Sequence, residues 1–114
     1  MARLLTNITD QTNQLHTIIF KDFEVQINML YLPVVEKWVF SCTYRDFNIY
    51  GVKLSCGTPH LLSQNQPFDF VVLDKAGAGI DPRYKNDFSS GRCELYFLDD
   101  EDMREIRGGV SVPL

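Results

Sequence analysis

The chain reads as all-β: a small antiparallel β-barrel or β-sandwich that carries a short C-terminal helix. Three observations predict this. The stretch from Phe23 to Gly57 alternates apolar and polar residues with period two, as strands buried on one face do. Aromatic residues make up 12% of the chain, with eight Phe and five Tyr, and most fall in strand-like stretches, where a pleated surface suits them. Gly, Pro, Asn or Asp separates these stretches and favours turns between them.

Residues 1–14 form a polar N-terminal arm, in which Leu4, Leu5 and Ile8 are available to dock on a neighbouring surface and fraying is the ordinary expectation. Residues 15–98 form the β-domain. Its first strand, His16 to Phe20, is rich in β-branched residues. Lys21-Asp22 is a two-residue turn that lacks the glycine favoured by primed turns. In the next strand Phe23, Val25, Ile27 and Met29 share one face, and Pro33 interrupts the ladder beyond it. Trp38, Phe40, Cys42 and Tyr44 share a face of the following strand, Arg45 to Asn48 is a hairpin loop, and Ile49 to Leu54 is a further strand.

After Gly57-Thr58-Pro59, the polar connection His60 to Gln66 is expected to anchor through Leu61 and Leu62. Phe68 to Leu73 is a nearly continuous apolar run, as in a strand covered on both faces. Asp74 to Asp81 is a turn, Tyr84 and Phe88 are placed to cap the core, and Arg92 to Leu98 is the last strand. Residues 99–114 comprise a short acidic helix over Asp99 to Ile106 and a tail. Acidic residues in the first turn and basic ones in the last match the helix dipole, and Gly108-Gly109 is expected to stop it. Val110, Val112 and Leu114 then alternate with small residues or proline, a candidate partner-contact tail that would add to another sheet's edge.

At 114 residues the chain is long enough for one domain with its own core. Its net charge of −4 and scattered Lys and Arg exclude the clustered basic surface that nucleic acid requires. No apolar run is long enough to span a membrane, and the N-terminus lacks the layout of a signal peptide. Cys42, Cys56 and Cys93 are odd in number and form no C-x-x-C pair. They read as small apolar residues in a reducing compartment.

Catalytic chemistry is nearly absent. His16 and His60 are the only side chains suited to general base work near neutral pH, and neither lies in a nucleophile motif. Asp99 to Asp102 lacks the alternating ligands and glycine of a calcium loop. Asp74 and Asp81 flank a glycine-bearing turn, and Gly77-Ala78-Gly79 has neither the helix nor the lysine of a phosphate cradle. No catalytic, cofactor or metal residue is assigned, and no cofactor is expected. Two other readings stay open: a small ligand-binding module with Trp38, Tyr44 and Phe70 lining a pocket, and a hydrolase-like enzyme using His60 with an acidic residue.

One succession of residues goes further. Lys37-Trp38-Val39-Phe40 is followed by Tyr44-Arg45-Asp46, Ile49-Tyr50-Gly51-Val52-Lys53-Leu54, Gly57, Leu61-Leu62, Phe70-Val71-Val72-Leu73-Asp74, Asp81-Pro82, Phe88 and Leu95-Tyr96-Phe97. In order and spacing, from His16 to Leu98, this resembles the small baseplate plug proteins of contractile-tailed bacteriophages, typified by a cyanophage baseplate plug. The resemblance implies a noncatalytic structural protein of the virion, made in the host cytoplasm and placed in the tail baseplate. Its expected partners are hub, tail tube and spike proteins in a multi-subunit ring or hub assembly.

Overall fold

The computed structural model describes residues 2–111, with side chains described for residues 2–106. It is mostly β, with two antiparallel sheets and one C-terminal helix. The strands are β1 (Arg3–Leu4), β2 (Asn13–Phe20), β3 (Phe23–Leu32), β4 (Lys37–Tyr44), β5 (Phe47–Lys53), β6 (Asp69–Asp74) and β7 (Cys93–Leu98), followed by α1 (Asp100–Ser111). One sheet is the meander β2-β3-β4-β5; the other has the order β1-β7-β6.

The meander follows from local chemistry. Lys21 and Asp22 both take positive φ, +50° and +67°, which closes a primed two-residue turn without glycine and sets Phe20 opposite Phe23. Register then runs unbroken along β2 and β3. Arg45-Asp46 makes the second tight turn, with Tyr44 opposite Phe47, so β5 starts earlier than its apolar residues indicate. The β4–β5 register slips once, where Tyr50 and Gly51 together face Ser41. Gly51 there has φ +67°, a conformation that a side chain resists.

The two sheets face each other across an aromatic core. Phe20 meets Phe97 with ring centroids 5.6 Å apart, Phe40 meets Phe70 at 5.8 Å, and Tyr44 meets Phe68 at 5.1 Å. Edge-to-face and tilted pairs of this kind add roughly 0.5–1.5 kcal/mol each beyond area burial. Val25, Ile27 and Met29 of β3 are fully buried, as are Trp38 and Phe40 of β4. Phe23 belongs to the same alternation but lies beside the turn and is exposed; Arg45 stacks over its ring. Leu61 enters the core and Leu62 does not; Phe88 is buried while Tyr84 stays exposed.

The N-terminal arm is seated. Arg3 and Leu4 pair with Phe97 and Tyr96 of β7, the Leu5 N–H donates to Leu95 O at 2.9 Å, and Leu5 and Ile8 pack on the core. The helix differs from expectation. It runs through Gly108-Gly109 to Ser111, because glycine weakens a helix by about 1 kcal/mol but leaves its hydrogen bonds possible. Its last turn therefore carries no basic residue, and Val110 lies in the helix, not in an extended tail. Val112 and Leu114 lie outside the described residues.

Candidate interaction surface

The outer face of the four-stranded sheet is built by the side chains that alternate with the core set. Cross-strand register sorts them into rows: Asn13, Leu30, Val39 and Lys53; Leu15, Asn28 and Ser41; Thr17, Gln26, Thr43 and Asn48; Ile19 and Glu24. Charge is confined to the ends of these rows. The middle of the face, from Leu15 and Thr17 across Gln26, Asn28, Leu30 and Val39 to Ser41 and Thr43, carries none. None of the side chains in these rows is buried. Leu15 and Ile19 are 58% and 60% exposed. Depletion of charge at the centre with charge at the rim is the composition of protein–protein interfaces.

The face ends at β2, an open edge. Phe20 opposite Phe23 and the Tyr31 N–H bonded to Thr12 O at 2.7 Å fix which groups point inward. By antiparallel alternation, Thr12, Gln14, His16, Ile18 and Phe20 bond to β3, while the main chain of Asn13, Leu15, Thr17 and Ile19 faces away. Those outward groups have no main-chain partner among the described residues. Beside them lies a cleft of about 810 Å³, walled by the arm from Arg3 to Gln11 and by β2 from Asn13 to Ile19. Gln14 holds the cleft's arm wall: its Nε2 donates to Thr9 O (2.9 Å) and Gln11 O (3.0 Å), and its Oε1 accepts from the Thr9 N–H (3.0 Å). His16 Nε2 lies 2.8 Å from the same Oε1, and burial lowers the His16 pKa.

The titratable residues singled out in the sequence are not brought together as a site. His60 is used up by main chain: Nδ1 lies 2.7 Å from Phe70 O, and Nε2 accepts from the Ser55 N–H at 2.8 Å. That pattern requires the Nδ1–H tautomer. Trp38, Tyr44 and Phe70 are all core residues, and the Trp38 indole donates to Tyr84 O at 3.0 Å. Asp99 and Asp102 cap α1 reciprocally, each accepting the other's N–H at 2.9 and 3.0 Å. Asp100 pairs with Lys21 at 2.7 Å, and that partner lowers its pKa. No group of His, Cys, Asp or Glu suited to a metal ion occurs among the described residues. Burial pushes the Cys42 and Cys93 thiols up to about 12, so both remain protonated. Cys56 is half-buried, and its Sγ donates to Ile80 O.

Three polar residues that sequence reasoning missed hold the loops. Asp69, fully buried, accepts N–H bonds from His60, Leu61 and Phe70 at 2.6–2.9 Å. Its burial raises its pKa, and those donors only partly offset this. Arg92 reaches Asp87 through two bonds at 2.9 and 3.0 Å, and also Ile80 O and Asp81 O. Burial works against the Asp87 charge, but Arg92 and the Tyr84 and Arg83 N–H groups outweigh it and bring its pKa to about 2. Asp74 accepts from Ala76 and Ile80 N–H, which lowers its own pKa. The Asp74 to Asp81 turn is thus a hydrogen-bonded structure in its own right. No known protein family matches the chain, and no characterised protein matches it in sequence.

Proposed function

We propose that this chain is a noncatalytic structural subunit that works through protein–protein contacts, in the tail baseplate of a contractile phage as a plug or hub-associated component. One observation carries the reading: an open, four-stranded outer face whose centre is uncharged, continuous with an unpaired strand edge. A subunit that remained alone would gain from charges on such a face and on such an edge. The placement in a baseplate rests on the residue succession from Lys37-Trp38 to Leu95-Tyr96-Phe97, which resembles the plug family. His60, Asp74, Asp81, Asp99 and Asp102 are engaged in internal hydrogen bonds, which favours a scaffold over a hydrolase-like role.

The direct test is mass spectrometry and cryo-EM of purified tails from a phage that encodes the chain. The expected result is the chain at fixed stoichiometry next to hub, tube or spike subunits, with the outer sheet face covered. Complete baseplates that lack the chain would overturn the reading.

A further inference from the structure

Resting on the reading of the chain as an assembly subunit, we propose that the cleft beside β2 receives an extended, uncharged segment of a different neighbouring subunit. That segment adds to β2 as a further strand. Main-chain geometry identifies the occupant. Asn13, Leu15, Thr17 and Ile19 present alternating N–H and C=O groups at two-residue intervals, about 7 Å apart, and only another extended backbone matches such an array. The outward-facing run, Asn13 to Ile19, spans about 20 Å at roughly 3.4 Å per residue. The 810 Å³ cleft lies along that run.

Side chains set the occupant's chemistry. The cleft offers Leu5 and Ile18 on the core side and the exposed Leu4, Leu15 and Ile19 elsewhere, with Thr, Asn and Gln between. Its lining holds no carboxylate, although the whole chain carries −4. Arg3 is the one Lys or Arg of the lining, and its guanidinium already sits over the Phe97 ring, 5.3 Å from the centroid. A charged strand would lose hydration there without gaining a partner, whereas Val, Thr or Leu fit both walls. Behind the arm a second cavity of about 200 Å³, bordered by Leu5, Ile8, Phe88 and Leu95, leaves room for the arm to settle around a strand. A second copy pairing β2 with β2 would bring its own arm against this one. A lone segment does not.

The test is residue-resolved NMR of the full free chain titrated with a heptapeptide of alternating Val and Thr. The amides of Leu15, Thr17 and Ile19 are expected to shift, and their exchange with solvent to slow at least about tenfold. Thr17→Pro deletes a donor that points away from β3 and should abolish the effect. Ile19→Lys, at an exposed side chain, should weaken peptide binding by at least about tenfold if Thr17→Pro fails to fold. No shift at millimolar peptide, shifts confined to β5, or a free chain already dimerised through β2 would each overturn the inference. Tails that incorporate the Thr17→Pro chain at the normal level would also overturn it while leaving the assembly reading intact. Tails that incorporate neither chain would overturn the assembly reading, and the peptide titration would still decide the inference.

Discussion

The two edges of the four-stranded sheet are opposites. At β5 the ladder is broken by the slip opposite Ser41, Gly51 sits at φ +67°, and the strand's end is tied down by Lys53 Nζ on Asp81 Oδ2 at 3.1 Å. Asp81 also accepts the Cys56 N–H, so the connection out of β5 is locked to the loop that Arg92 clamps. At β2 the register is continuous from Asn13 to Phe20, without a bulge and without a Lys or Arg in the strand. Bulges and charges are how sheets prevent unwanted pairing. One edge of this sheet is protected by the chain's own backbone, and the other has no main-chain partner among the described residues. On the assembly reading proposed above, that contrast sets the partner beside β2.

Four measurements break or sharpen the contrast. The largest effect is expected where the loop beside β5 is clamped. Arg92→Ala leaves the Asp87 carboxylate buried without its partner and should cost about 3 kcal/mol in urea denaturation, with the β2 edge unchanged. Next comes acid. A carboxylate whose folded pKa lies below its unfolded value lends stability above the unfolded value and loses it as pH falls through the folded one. For Asp87, held at about 2 against an ordinary 3.8, roughly 2 kcal/mol should disappear between about pH 4 and pH 2. Asp87→Asn should flatten that dependence in denaturation curves taken across the range.

Smaller effects come from the edges themselves. Gly51→Ala forces a side chain into a left-handed position with nothing within 4 Å of the new carbon, so only the backbone term of about 1 kcal/mol should appear in thermal melts. Thr17→Pro should change stability least, by less than about 1 kcal/mol, because the lost N–H bonds nothing in the free chain. The same change one residue on, at Ile18, deletes a ladder bond to β3 and should cost about 3 kcal/mol or more. Circular dichroism melts of the pair would show whether β2 has the open side assigned to it.

Much of this was legible in the sequence, for reasons particular residues make plain. Period-two alternation put Val25, Ile27, Met29, Trp38, Phe40 and Cys42 in the core correctly, since each strand of the meander is covered on one face only. The same pattern puts Thr17, Gln26 and Thr43 on the opposite, outer face. Other features carried no periodic signal. Asp87 and Arg92 meet through an irregular segment, where spacing does not announce contact. Gln14 reads as an arm residue yet is the strand residue that fastens the arm. Lys21-Asp22 adopts a glycine-like turn because strand pairing on both sides enforces it. The helix passes Gly108-Gly109 because a propensity cost of that size does not by itself end a helix. The open β2 edge depends on strand order, and strand order is a tertiary fact.

The most direct measurement is amide hydrogen exchange on the chain alone and within assembled tails, followed residue by residue along both edges. The account predicts that Leu15, Thr17 and Ile19 exchange freely in isolation and become protected in the tail, while the amides of β5 exchange alike in both. Equal exchange at β2 in the two states, or protection that appears only along β5, would contradict it.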